Sequence, residues 1–173
     1  MTRAWSVLFF VASAACGGSV LEKSYVLPHR VITAGFDKET QHTNPCPTWC
    51  RVDANVRMLT TEDGFAIAYE VKYLPSESDA LERSVNTWGP ATHEYTVEHD
   101  PAMDLQAGQA WKDSSRALHR RHLGSAAELL RFGDHRQTTR YGVWKAAGEL
   151  VRVSSNARGV WIEWVDLSKL PSS

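Results

Sequence analysis

The chain has 173 residues, of which 43% are hydrophobic and 23% are charged. This length is enough for one domain with a buried core, and the composition is that of a globular protein rather than a disordered or multi-span membrane protein. The formal net charge of −1 gives no reason to expect a nucleic-acid partner.

An uncharged apolar stretch follows Arg3 and closes in small residues at Ala14 and Ala15. A positive start, a short apolar run and a small-residue end are the parts of a secretory signal peptide. We therefore expect residues 1–15 to direct export. The alternative, a buried first helix of the fold, is disfavoured because the run has no polar face.

The junction Ser13-Ala14-Ala15-Cys16-Gly17 resembles the lipobox of bacterial lipoproteins, with Ser13 standing where that class usually has an aliphatic residue. The resemblance implies cleavage before Cys16 and attachment of lipid, including palmitate, to that cysteine. Residues 16–23, which contain glycines and a serine and have no periodicity, are then expected to be a lipid-anchored tether ahead of a single domain at 24–173. A glycine instead of an aspartate after the cysteine implies the outer rather than the inner membrane.

The three cysteines are Cys16, Cys46 and Cys50. A lipid on Cys16 leaves an even pair, which we expect to form a disulfide in an oxidising compartment. The alternative is cleavage after Ala12-Ser13-Ala14 by an ordinary signal peptidase, which would leave a periplasmic protein.

The segment Cys46-Pro47-Thr48-Trp49-Cys50 resembles the copper-carrying site of the Sco family. Soft thiolates are suitable ligands for Cu(I), and His42 lies close enough in sequence to be a third ligand. The resemblance implies a periplasmic copper or thiol-redox protein. In that family, however, the motif opens a helix of a thioredoxin-like fold, whereas a strand pattern follows it here.

Alternation of apolar and polar residues predicts strands along most of the remaining chain. An Asp63-Gly64 turn joins the first two strands into an antiparallel hairpin. The predicted strands cover residues 52–58, 65–73, 92–99, 140–146, 149–154 and 159–167.

Two regions have helical spacing. One begins at Ser76 and stops at Gly89-Pro90, and the other covers 102–132 with breaks at Gly108 and Gly124. His119 and His122 in this second region are interpreted as solvated surface residues, because neighbouring arginines oppose a bound cation. The elements together predict a single α+β domain, a largely antiparallel sheet with two to four helices packed on it.

Charge is unevenly distributed. Residues 62–104 carry ten acids against two bases, and residues 116–140 carry six arginines against two acids. Arginine suits bidentate contact with anions. The predicted anion-binding set, for an anionic ligand or an envelope protein, is Arg116, Arg120, Arg121, Arg136 and Arg140. The alternative is that the acidic and basic faces neutralise each other in solvent.

No catalytic motif is present, and His99 with Asp100 at a strand end are the nearest candidates for an enzyme site. Trp144, Trp161 and Trp164 lie on the C-terminal strands, with Trp161 and Trp164 on opposite faces by strand parity. We therefore expect a non-enzymatic binding or interaction role at a membrane, with the copper or redox role as the alternative.

Overall fold

A computed structural model describes residues 35, 38–74, 88–99, 108–131, 137–146 and 148–170. Its seven strands are β1 (Cys50–Arg51), β2 (Val56–Thr60), β3 (Ala66–Tyr73), β4 (His93–Val97), β5 (Thr139–Ala146), β6 (Glu149–Asn156) and β7 (Gly159–Asp166). They form one antiparallel sheet in the order β1-β2-β3-β7-β6-β5-β4. The predicted antiparallel sheet is therefore confirmed.

One α-helix, α1 (Gly108–Leu123), is followed by a 3-10 turn (Gly124–Glu128). The buried residues of α1 are Trp111, Ser115, His119 and Leu123. Because they are four positions apart, they form one stripe on the side of the helix that faces the sheet. Gly124 has a φ of +62°, which ends the α-helix as predicted. Leu123, Ala126 and Leu130 pack with an apolar row of the sheet formed by Leu59, Ala68, Leu150 and Val165. We call this side of the sheet the helix-side face.

The opposite face of the sheet carries a second apolar core. Its largest members are Tyr69, Trp144 and Trp164, and the rings of Tyr69 and Trp164 stack with centroids 5.1 Å apart. Trp161 lies on the helix-side face instead, so the predicted split of Trp161 and Trp164 between the two faces is confirmed.

The described residues are mostly β, a seven-stranded sheet with α1 as the one α-helix whose bounds they include, and not the predicted α+β arrangement with two to four helices. The helix predicted from Ser76 lies outside the described residues up to position 87, as does the first part of the region predicted at 102–132. No helix in the described part of the chain has the length and apolar character needed to span a bilayer.

The hairpin prediction is correct in its turn and in its antiparallel pairing, and wrong only at residues 52–55, the start of its first strand. The Asp53 carboxylate accepts hydrogen bonds from the N–H groups of Asn55 and Val56, at 2.6 and 2.8 Å. An aspartate that caps its own backbone in this way makes a turn. For this reason β2 begins at Val56 and not at Val52.

Candidate functional site

Three charged side chains lie side by side in the middle of the sheet, on the helix-side face. Glu70 pairs with Glu163 across β3 and β7, and Glu163 pairs with Arg152 across β7 and β6. Their exposed fractions are 4%, 2% and 1%. Charged groups are rarely this buried unless each one has partners, so this row requires a specific network.

Arg152 is the centre of that network. Its Nε and Nη2 both donate to the Glu163 carboxylate, the second at 2.7 Å, and Nη2 also donates to the Arg131 carbonyl at 2.7 Å. The guanidinium lies over the ring of Tyr141, 5.0 Å from its centroid. Burial lowers the pKa of Arg152, but the charge and hydrogen bonds of Glu163 outweigh burial and raise the pKa above its ordinary value. Arg152 therefore stays charged inside the protein.

A neutral histidine completes the network from α1. Tyr95 Oη lies 2.8 Å from His119 Nδ1, and Arg152 Nη1 lies 3.5 Å from the same nitrogen. Because a guanidinium only donates, Nδ1 is the acceptor and the proton of His119 is on Nε2. Burial lowers the pKa of His119 to about 3, helped by the charges of Arg152 and His122. The prediction that His119 is a solvated surface residue is therefore wrong, since only 1% of it is exposed.

Glu70 differs from Glu163 in that two arginines approach the same oxygen of its carboxylate. Its Oε1 lies 3.5 Å from Arg131 Nη1 and 3.8 Å from Arg57 Nη1. Burial raises the pKa of Glu70, and the neighbouring charge of Glu163 adds to this. The arginines at 131, 57 and 152 act in the opposite direction without cancelling it.

A cavity of about 320 Å³ lies above this row and is partly open to solvent. Its lining comes from four strands, from the turn between β6 and β7, and from Arg131, three residues after the end of the 3-10 turn. The lining residues are Glu70, Arg131, Thr139, Tyr141, Arg152, Ser154, Asn156, Arg158, Trp161 and Glu163.

The cavity has an aromatic side and a polar rim. Trp161, Ser154 and Tyr141 are successive cross-strand neighbours on β7, β6 and β5, so two rings flank one hydroxyl. At the rim, Asn156 Nδ2 donates to Thr139 Oγ1 at 3.2 Å. Asn156 Oδ1 accepts from the Arg158 N–H at 2.8 Å, which fixes the turn that carries the Arg158 side chain.

The predicted disulfide between Cys46 and Cys50 is present. The loop that it closes presents Trp49, whose Nε1 donates to the Leu129 carbonyl at 3.0 Å. Arg57 lies over the same indole, 5.3 Å from its centroid, and it also reaches Glu70. The disulfide loop is thus linked through Arg57 to Glu70 in the lining of the cavity.

The structure places His42 beside the β2–β3 turn, where its N–H donates to the Gly64 carbonyl. Among the residues that the structure describes, no group of three or more His, Cys, Asp or Glu side chains is arranged to hold a metal ion. A copper site of His42, Cys46 and Cys50 stays a prediction.

The predicted anion-binding arginines that the structure describes do not all lie on one surface. Arg116 and Arg120 lie on α1 and pair with Asp113 and Glu128, at 3.9 and 2.7 Å. Arg140 precedes Tyr141 on β5, and Tyr141 contacts the His119 ring on the helix side. Strand alternation therefore turns Arg140 to the opposite face.

Five further predicted residues remain, two arginines of the anion-binding set, the lipidation cysteine and the candidate enzyme pair. Arg121 is exposed in the last turn of α1. Arg136, Cys16 and Asp100 lie outside the described residues. His99, the other half of the candidate enzyme pair, donates its N–H to Thr138 Oγ1 at 2.9 Å.

Sequence reasoning missed the cavity, although a signal for it was available. Glu70, Arg152 and Glu163 are each a charged residue between two apolar ones, in Tyr-Glu-Val, Val-Arg-Val and Ile-Glu-Trp. Single charges inside buried strands indicate a buried network, but only the strand register shows that the three belong together.

Comparison with known proteins gave no match to a family model, to a curated protein or to a solved structure. The geometry of the cavity is therefore the sole basis for assigning a ligand-binding role to the folded domain.

Proposed function

We propose that this protein is an exported, lipid-anchored binding protein that holds a small organic ligand in the cavity on the helix-side face. The observation that carries the proposal is the cavity of about 320 Å³ over the buried Arg152–Glu163 pair. Ligand pockets typically begin at about 300 Å³ and combine aromatic walls with a few fixed polar groups. Trp161, Tyr141, Ser154 and Asn156 provide that combination here.

The floor of the cavity favours binding because it is already ordered. Arg152 is held by the Glu163 carboxylate, by the Arg131 carbonyl and by the Tyr141 ring. Side chains that are fixed before the ligand arrives lose little conformational entropy on binding. The network therefore favours a binding role for this face in addition to its contribution to the core.

A thermal-shift screen tests the binding role. We expect at least one compound from a varied panel of small acids, amides, amines and sugars to raise the melting temperature. The shift should be lost in Trp161→Ala, which removes the aromatic wall of the cavity. Trp88→Ala is the matched control, because Trp88 is also half-buried but packs against Trp144 on the opposite face. If no compound stabilises the protein, or if Trp161→Ala responds as the wild type does, the proposal fails.

The proposed export and membrane anchor are supported by the signal-like segment and by the lipobox resemblance at Cys16. The disulfide is consistent with an oxidising compartment. Metabolic labelling with palmitate in a bacterial host tests the anchor. We expect the label in the membrane fraction of the wild type and of a Cys46→Ser/Cys50→Ser double variant, and no label in Cys16→Ser. An unlabelled, soluble wild-type protein would contradict the anchor.

A copper or thiol-redox role is the second candidate, and one observation favours it. The two sulfur atoms are bonded at the edge of the sheet, and Cys50 is only half-buried there, which gives a reductant access. Anaerobic titration of the reduced protein with Cu(I) tests this role. A stoichiometric complex that is lost in Cys50→Ser and weakened in His42→Ala would establish it, and equal binding by all three proteins would exclude it.

A further inference from the structure

We infer that the ligand of this cavity is a small organic anion, a carboxylate with a flat body that lies against Trp161. This inference rests on the proposed binding role and goes beyond it by naming the chemical class. It is carried by the charge balance of the lining, by the position of the arginines, and by the shape of the aromatic wall.

The charges of the lining do not balance. It contains three arginines and two glutamates, a formal excess of one positive charge. Arg152 and Glu163 neutralise each other through two hydrogen bonds. Glu70 is approached by Arg131 and also by Arg57, which contacts it from outside the lining. With Arg57 included, four arginines face two carboxylates.

The positive excess lies where a ligand would enter. The side chain of Arg131 is 57% exposed and Arg158 is exposed on the β6–β7 turn, whereas Glu70 and Glu163 are both buried. The carboxylates are therefore at the bottom and two guanidinium groups are at the rim. An arginine fork matches the two oxygens of a carboxylate, and such charge-assisted bonds are among the strongest in proteins.

The aromatic wall sets the shape of the ligand's body. Trp161 and Tyr141 are on strands β7 and β5, with Ser154 of β6 between them. Strands lie about 4.8 Å apart, so the two aromatic residues are about 10 Å apart across the sheet. The small serine between them leaves a depression wide enough for one planar group, and its hydroxyl can bond to a polar edge of that group.

Other ligand classes fit less well. A cation would meet the arginines of the rim before it reached the buried carboxylates, which are already paired with arginines. A neutral molecule could occupy the aromatic depression but would form no charge-assisted bond with the exposed guanidinium groups at the rim. An anion with a flat body can pair with the arginines of the rim and also pack in the aromatic depression.

Three probes of the same shape and different charge test the inference, namely benzoate, benzamide and benzylamine. We expect benzoate to bind the full-length protein at least about tenfold more tightly than benzamide, the ratio for one charge-assisted pair. Benzylamine should bind most weakly. Isothermal titration at low salt, with two-dimensional NMR to locate the perturbed amides, gives both the affinity and the site.

Two rim variants and one control locate the charge effect. Arg131→Gln and Arg158→Gln change exposed side chains, so we expect both proteins to fold and to bind benzoate about tenfold more weakly. Arg140→Gln, on the opposite face of the sheet, should bind benzoate as the wild type does. Loss of binding in Arg140→Gln, with none in the two rim variants, would overturn the inference.

The outcomes separate this inference from the binding role itself. If a neutral or cationic compound binds the wild type but not Trp161→Ala, while benzoate does not bind, the cavity is a binding site and the anionic class is wrong. If Trp161→Ala changes the binding of no compound in either experiment, both proposals fail together.

Discussion

His119 is a histidine that the fold keeps neutral. Its ring is enclosed by the rings of Tyr95 and Tyr141, and Arg152 approaches its Nδ1. Protonation would place a second positive charge beside the guanidinium, in a buried position where solvent screens charges little. The neutral ring instead accepts from Tyr95 and thereby connects α1 to β4.

The stability of the protein should therefore fall in acid because of this residue. The pKa of His119 is about 3 in the folded state against 6.5 for an ordinary histidine, so only the unfolded chain takes up the proton between these values. The contribution is complete above pH 6.5 and is lost as the pH falls toward 3, on the order of 4 kcal/mol in total. Urea unfolding at several pH values measures this loss.

The variant His119→Asn distinguishes the effect of protonating this side chain from the effect of its contacts. In His119→Asn the side-chain oxygen can still accept from Tyr95, but the residue does not titrate, so we expect a much flatter dependence on pH. His122→Asn, on the half-exposed side of the last turn of α1, should keep most of the wild-type dependence. An equally steep loss of stability in His119→Asn would show that other groups cause it.

The strands were the most predictable elements of this chain, because alternation records which face of a sheet is buried. It correctly predicted β3, β4 and the three C-terminal strands to within two residues at each end. It failed at residues 52–55, where the alternation continues through a turn made by the Asp53 carboxylate. A hydrogen bond from one side chain outweighed the pattern there.

The candidate site was much less predictable than the strands. The disulfide followed from cysteine counting, but the cavity depends on which strand lies next to which. Glu70 and Glu163 are 93 positions apart in the chain and become neighbours only because β7 inserts beside β3. The spacing of arginines in the sequence favoured a patch that includes Arg140, and alternation places that residue on the other face.

The β6–β7 turn should be intolerant of side chains at Gly159. This residue has a φ of +136°, and a Cβ atom there would collide with the Tyr73 carbonyl of β3. Gly159→Ala should therefore lose at least about 2 kcal/mol of unfolding free energy, from backbone strain and from displacement of the neighbouring strand. Chemical denaturation measures the loss.

Gly148 in the β5–β6 turn is the matched control. Its φ is also positive, at +86°, but nothing lies within 4 Å of the position of a Cβ atom. Gly148→Ala should cost about 1 kcal/mol, the strain of the backbone alone. Equal losses at the two positions would show that close approach to β3 is unimportant.

The order of the strands predicts how local stability is distributed across the molecule. In β1-β2-β3-β7-β6-β5-β4, strand β7 is central, β3 and β6 flank it, and β1 and β4 are at the edges. Amide hydrogen exchange should therefore be slowest in β7, where opening requires nearly global unfolding, and fastest in β1 and β4. Mass spectrometry of peptides from each strand measures it. Protection in β4 equal to that in β7 would contradict this view of the sheet.

The last of the described strands in chain order lies in the interior of the sheet. Until Gly159–Asp166 is in place, β3 and β6 are two open edges, and Glu70 and Arg152 have no Glu163 between them. A growing chain therefore holds the parts of the cavity without the cavity itself. A product that stops before residue 159 would not have a smaller cavity; it would have none, and two strand edges would be open to aggregation.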